Sequence, residues 1–228
     1  MLRGIFVTGT DTGVGKTVAA AALMHRYRTR APGAESSRLM RYWKPIQTGI
    51  GQDDDTATVR ELGACREEEL FTDGIRLPHP VSPHLAARLK GVTILLPAVA
   101  ELVSAQPESD RWIVEGAGGV LAPINDSEFM VDLMARLRLP ALVVARTTLG
   151  TINHTLLTLE ALGLRSVRVA GVLLVGDPNA ENRAAIEAYG RVPVVGELPR
   201  LAPLTPGALE RCVTSSLDRD GRLAELFR

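Results

Sequence analysis

Residues 9–17 read GTDTGVGKT and follow, after Thr8, on the apolar run LRGIFV. An apolar strand, a glycine-rich turn and then Lys-Thr is an order of residues suited to holding phosphate groups. Gly13 and Gly15 allow backbone torsions that turn successive N–H groups inward, and a helix beginning near Lys16 adds its positive end. Lys16 can reach the outer phosphates, and the Thr17 hydroxyl can ligate Mg²⁺. The strict pattern wants glycine five positions before Gly15; Thr10 stands there, and the glycine falls one earlier, at Gly9. The mechanics survive that displacement, so the stretch is read as a nucleoside triphosphate site rather than a tight turn with a surface lysine.

Further reactive residues fall where apolar runs end. In RYWKPIQTG, Lys44 follows such a run and precedes a proline that keeps the chain extended. A lysine there can neutralise charge growing on a transferring phosphoryl group. GQDDDTATVREL carries three aspartates into a helix. Two suit a solvated first turn favoured by the helix dipole, and Asp55 is expected to face a metal. In RWIVEGAGG, Glu115 stands at the mouth of a second glycine-rich turn, where a carboxylate can hold Mg²⁺ directly or through water. Gly116, Gly118 and Gly119 would let the backbone approach a ligand. ARTTLGTINH opens a helix whose N–H groups at Gly150, Thr151, Ile152 and Asn153 suit a carboxylate. Glu67, Glu68 and Glu69 read as a solvated acidic face, His25 and His79 show no partner pattern, and His154 is open between a structural and a functional role. No Ser-His-Asp order or nucleophile elbow is present.

These residues need a scaffold that gathers loops at one edge. Strands are expected at GIFVTG, LMRYWKP, RWIVEGAGG, PALVVAR, VRVAGVLLV and VPVVGELP, mostly continuous apolar runs, as parallel strands covered on both faces should be. Helical periodicity is expected from Thr17 to about Arg28, Asp55 to about Gly63, Ser82 to Lys90, Leu96 to Ala105, Glu128 to Leu137, Thr151 to Leu162 and Ala180 to Tyr189. APGAESS and LAPLTPG read as loops, not domain linkers. The alternation implies an α/β fold, a doubly wound, mostly parallel sheet in three layers of the P-loop NTPase kind, with ligands beyond the carboxyl ends of the strands.

With 228 residues and no linker, one domain spanning 1–228 is expected. Net charge is zero, which gives no general attraction to nucleic acid or acidic membranes. No apolar stretch approaches the roughly 20 residues of a membrane helix, and no signal-peptide layout opens the chain. Cys65 and Cys212 match no metal spacing and read as ordinary thiols, so a cytoplasmic setting is expected.

The ordered set GTDTGVGKT, KPIQTG, PVSPH, VEGAGG, LGTINH and GELP resembles the dethiobiotin synthetases of biotin biosynthesis. The resemblance runs to about residue 200; the stretch from about Thr205 has no counterpart. It implies an ATP- and Mg²⁺-dependent cyclisation of 7,8-diaminononanoate (diaminopelargonate) with CO₂ to dethiobiotin, ADP and phosphate. It further implies Lys16 and Lys44 as catalytic cations, and Thr17, Asp55 and Glu115 as metal ligands. Gly13, Val14, Gly15, Lys16, Thr17 and Val18 would hold the phosphates with Gly116, Ala117 and Gly118 nearby, and Gly176, Asp177, Pro199, Arg200 and Leu201 would lie on the base side. Thr12, Thr48 and Ser82 would meet the substrate, and Gly150 to Asn153 would clamp its carboxylate from the other subunit of a homodimer. Gly13 stands where many members have glutamate, which alters the loop's local charge. Gly176 stands where the family reads the base with asparagine, so adenine loses a paired donor and acceptor. A rival reading is a partner-regulated ATPase of the partitioning or division-site type. Its signature lysine, however, would fall at Asp11. A glutamine-fed amidoligase would need a further domain, for which the length leaves no room.

Overall fold

Strand β1 (Gly4–Gly9) is buried along its whole length because it lies at the centre of a seven-stranded sheet in this computed structural model, which describes residues 2–28 and 38–228. The loop expected at APGAESS lies outside the described residues. β1 pairs with β6 (Arg111–Glu115) on one side and β7 (Ala141–Arg146) on the other. β2 (Met40–Trp43) and β4 (Leu70–Phe71) continue beyond β6; β8 (Val169–Val175) and β9 (Val194–Leu198) continue beyond β7. The order is β4-β2-β6-β1-β7-β8-β9, and all its pairings are parallel. Although β2 follows β1 in the chain, β6 comes between them.

Side chains alternate across the sheet with period two. Ile5, Val7, Tyr42, Ile113, Leu142 and Val144 face α1 (Lys16–Tyr27), α2 (Asp55–Leu62) and α8 (Pro206–Ser216). Phe6, Trp43, Trp112, Val114 and Val143 face the other layer, built from α3 (Pro83–Lys90), α4 (Leu96–Glu101), α5 (Met130–Leu137), α6 (Thr151–Leu164) and α7 (Ala180–Gly190). In that layer Trp43, Phe71 and Trp112 meet edge to face at 5.4–6.3 Å. Such pairs add about 0.5–1.5 kcal/mol each beyond burial. The alanine run of α1, Ala19 to Ala22, is completely buried and lets the helix lie close over the sheet.

The expected strands are present, most with trimmed ends, and most expected helices lie within a residue or two of their expected bounds; the exceptions have local causes. The helix expected from Leu96 to Ala105 stops at Glu101, whose carbonyl accepts both the N–H and the hydroxyl of Ser104 in a tight turn. The one expected from Glu128 begins at Met130, because Asn125 Oδ1 takes the N–H groups of Ser127 and Glu128 in a turn. LAPLTPG is not loop throughout: Pro206 opens α8, and Thr205 caps it by accepting Ala208 N–H. Also unforeseen are β4 and a separate parallel pair, β3 (Ile46–Thr48) with β5 (Ile75–Leu77). The acidic face needs a correction, since Glu69 is buried and takes both Arg28 and Arg66. No helix among the described residues is long and apolar enough to cross a membrane.

Candidate active site

The carboxyl ends of β1, β2 and β6 meet over the N-terminus of α1, where a cavity of about 920 Å³ opens. Gly13 and Gly15 take positive φ, +69° and +99°, which lets the loop coil back before α1 begins at Lys16. Gly13, Gly15, Lys16, Thr17 and Val18 line the cavity, as does Thr12. Val14 does not. It is buried, and its side chain fills the space that a side chain at Gly9 would need.

Around the loop stands a closed set of charges. Lys44 is 3% exposed, and its ammonium donates to Asp55 Oδ2 at 2.5 Å, Glu115 Oε1 at 2.8 Å and the Gly116 carbonyl at 3.0 Å. The Thr17 hydroxyl lies 2.7 Å from Asp55 Oδ1 and 3.0 Å from Glu115 Oε1. Tyr42, two residues before Lys44 and so on the same face of β2, donates its phenol to Glu115 Oε2 at 2.9 Å. Burial alone would lower the Lys44 pKa, but Glu115 and Asp55 outweigh it and the ammonium is held above its ordinary value. Asp55 shows the counterpart: burial pushes its carboxyl up, Lys44 and the Thr17 hydroxyl pull it down, and the net direction is down. Burial, with Glu115 beside it, raises Tyr42 well above the usual phenol, so it remains a donor.

Lys16 is different. Its Nζ donates to the Asp11 carbonyl at 2.8 Å, and burial, then the nearby Lys44, lowers its pKa to about 8. Arg146, at the end of β7, holds the same part of the loop from outside, donating to the Thr12 carbonyl at 2.9 Å and Asp11 Oδ2 at 3.3 Å. Asp54 caps α2 through Thr56 and Ala57 N–H, worth about 1 kcal/mol, and so fixes the helix that presents Asp55. The donors that converge, one hydroxyl and two carboxylates, are hard oxygens and fit Mg²⁺ if phosphate oxygens and water complete the shell. Among the described residues no cluster of three or more His, Cys, Asp or Glu side chains offers a phosphate-independent site.

The other expected residues divide by place. Thr48, Ser82, Ala117 and Gly118 line the cavity, and Gly116 contributes its carbonyl to Lys44. Gly176 and Asp177 follow the end of β8, where Val175 packs on Gly15; Pro199, Arg200 and Leu201 follow β9. None of these five lines the cavity. Gly150, Thr151, Ile152 and Asn153 also lie outside it, with the Thr151 hydroxyl turned to the Arg146 carbonyl. From the same helix His154, Leu157, Thr158 and Ala161 form its wall instead, which gives His154 a place at the site. Tyr42 and Arg146 escaped the sequence reading. For Tyr42 the two-residue spacing from Lys44 marks a shared side of the chain but not its partner Glu115 on β6; for Arg146 there was no signal, because its partners Asp11 and Thr12 come from a distant turn.

Comparison with known proteins gives concordant results. A family model described as AAA domain matches residues 3–208. The ATP-dependent dethiobiotin synthetase of Rhodopseudomonas palustris (strain HaA2) is 44% identical over 226 residues, 99% of each chain. That of Nitrobacter hamburgensis (strain DSM 10229 / NCIMB 13809 / X14) is 47% identical over 210 residues, 92% of each. Among solved structures, a ParA family ATPase from Chlorobium tepidum TLS superposes with TM-score 0.56 at 12% identity, covering 100% of this chain and 98% of that one. The septum site-determining protein MinD from Pyrococcus horikoshii OT3, complexed with Mg-ADP, gives 0.56 at 16%, covering 99% and 95%. At such identities the likeness is one of fold: the three-layer P-loop architecture.

Proposed function

The chain belongs to the AAA domain family and to the ATP-dependent dethiobiotin synthetases, ligases of biotin biosynthesis, and on that premise we propose how its residues divide the reaction. The substrates in this reading are 7,8-diaminononanoate, CO₂ and ATP. One amine takes up CO₂ and loses a proton, giving a carbamate. The carbamate oxygen attacks the γ-phosphorus of ATP, ADP leaves, and a carbamic–phosphoric anhydride results. The second amine attacks the anhydride carbonyl carbon and gives up a proton; the C–O bond to phosphate breaks, and the cyclic urea closes.

A carbamate is anionic and must approach an anionic phosphate, so the site has to supply positive charge and alignment rather than a covalent group. The observation that carries the proposal is the buried Lys44 ammonium, held between Asp55 and Glu115 beside the phosphate loop, in one cavity with Thr48 and Ser82. Lys44 is assigned to the carbamate and Lys16, turned from the Asp11 carbonyl, to the outer phosphates. Thr12, Thr48 and Ser82 are assigned to the diamine. Thr17, Asp55 and Glu115 would hold Mg²⁺, whose charge, when bound, offsets that of the phosphate oxygens. Gly176, Asp177, Pro199, Arg200 and Leu201 are assigned to the base side.

We take one domain to carry the whole reaction, in a cytoplasmic enzyme that works as a homodimer. The unpaired thiols Cys65 and Cys212 favour the compartment. The second copy is favoured by the position of Gly150 to Asn153, which stand outside their own cavity next to fully exposed Leu149. The test is ADP release from purified protein with Mg-ATP and bicarbonate, with and without the diamine, and with CTP and GTP in place of ATP. Release that requires the diamine, with dethiobiotin identified by mass spectrometry, is expected. Slow release indifferent to the diamine would overturn the reading in favour of a partner-regulated ATPase.

A further inference from the structure

Glu115 is completely buried, and each of its carboxylate oxygens is committed to a different neighbour. Oε1 accepts from Lys44 at 2.8 Å and from Thr17 at 3.0 Å, on the side where the phosphate loop and Asp55 lie. Oε2 accepts from the Tyr42 hydroxyl at 2.9 Å. Tyr42 is itself completely buried, packed on the α1 face of β2, so its ring cannot swing aside without opening the core. The placement follows from topology. β2 runs beside β6 with Tyr42 level with Ile113 and Trp43 level with Val114, so Tyr42 and Lys44 flank Glu115 on one sheet face.

A terminal carboxylate torsion is broad and roughly two-fold, so packing or hydrogen bonds must choose its plane. Here the phenol chooses it. We propose that Tyr42 is a positioning residue for the metal site: by occupying Glu115 Oε2 it fixes the carboxylate plane and leaves one oxygen, Oε1, turned to the cation. This rests on the assignment of Thr17, Asp55 and Glu115 to Mg²⁺. A single fixed oxygen suits a small octahedral ion, which tolerates little departure from its geometry and keeps several waters. A carboxylate able to turn both oxygens inward would suit Ca²⁺, which takes carboxylates bidentate at longer distances. Tyr42 therefore acts on the choice of ion as well as on its affinity.

The test uses Tyr42→Phe, which keeps the ring and removes only the hydroxyl, in the full-length protein with a non-hydrolysable ATP analogue. Mn²⁺ affinity is read by electron paramagnetic resonance, Mg²⁺ and Ca²⁺ affinities by competition, and metal-free nucleotide affinity in EDTA. Loss of such an outer hydrogen bond weakens a metal site by about tenfold or more. The expected result is therefore roughly a tenfold loss of Mn²⁺ and Mg²⁺ affinity, a smaller loss for Ca²⁺, and unchanged metal-free nucleotide binding. Glu115→Gln is measured alongside. If it weakens Mn²⁺ binding while Tyr42→Phe, folded as judged by its thermal transition, keeps wild-type affinity and Mg²⁺/Ca²⁺ preference, Tyr42 has no positioning role. If Glu115→Gln leaves Mn²⁺ affinity intact, the metal assignment fails first and the role of Tyr42 with it. Should Tyr42→Phe lose its cooperative transition, water-proton relaxation of Mn²⁺ in the wild-type complex decides: with one oxygen each from Thr17, Asp55 and Glu115 and two from the phosphates, about one bound water remains on a six-coordinate ion, and none would overturn it.

Discussion

Lys44 and Lys16 sit in the same cavity, yet their surroundings push them in opposite directions. Lys44 gains two carboxylates and stays charged, whereas Lys16 is desolvated beside another cation and falls to about pKa 8. Removing Lys44 takes away the cation assigned to the carbamate while sparing the phosphate loop. Lys44→Ala should therefore lower dethiobiotin formation by about a hundredfold to a thousandfold, the scale of a lost transition-state contact, with nucleotide still bound. Activity and fluorescent-nucleotide binding on one preparation would check this, and an undiminished rate would remove Lys44 from the mechanism. For Lys16 the expectation concerns protons. A triphosphate favours the ammonium, so binding at pH 8.5 should take up roughly three quarters of a proton per site, against about a tenth at pH 7. Calorimetry in two buffers of different ionisation enthalpy measures that number. The folding consequence has the same origin: from the lowered value of about 8 up to the ordinary 10.5, the folded chain binds fewer protons than the unfolded. This residue's contribution to stability accordingly rises with pH through that window.

Where β8 ends, Gly176 has φ +136°, and a Cβ there would stand 2.4 Å from Thr147 Oγ1. Gly176, which the resemblance puts in the place of a base-reading asparagine, thus has a threonine of the neighbouring β7–α6 connection standing where its side chain would go. Gly176→Asn alone should cost about 1–3 kcal/mol through strain and the clash. Adding Thr147→Ala should recover part of that loss, and urea unfolding of the single and double variants would measure it. The pairing also illustrates what the amino-acid order could and could not reveal. The phosphate loop, the central strands and most helices were legible because parallel strands buried on both faces read as unbroken apolar runs, and Gly15-Lys16-Thr17 marks a helix start. Helix α8 was not, since its Cys, Thr and Ser positions blur the apolar period, although Thr205 and Pro206 already spelled a start signal. Strands β3 and β5 are three residues each, too short for any period to emerge. Tyr42 read as ordinary strand filling. Its meaning depends on β6 being the neighbour of β2, and sequence order does not specify that adjacency.

On the scale of the whole molecule, the cavity is rimmed by apolar side chains that stay largely exposed in one copy. Leu157 and Leu121 line it while more than half exposed, and Leu149 nearby is completely exposed. If a second copy covers them, Leu149→Asp with Leu157→Asp should convert a dimer to a monomer in sedimentation velocity. The KM for the diamine should rise far more than that for ATP, because the phosphate loop lies wholly within one chain. The sheet order has a last consequence, for the growing chain. Because β6 lies between β1 and β2, those two strands never pair with each other, and β1 has no neighbour until residue 111 and beyond has been made. The phosphate loop is synthesised well before the two strands that give it its floor. A nascent chain ending at residue 110 carries the whole loop, yet it lacks both strands that flank β1 and the carboxylate of Glu115. Nucleotide capture during synthesis must therefore wait for β6 and β7, and until then the apolar β1 is left with unpaired edges open to other partners.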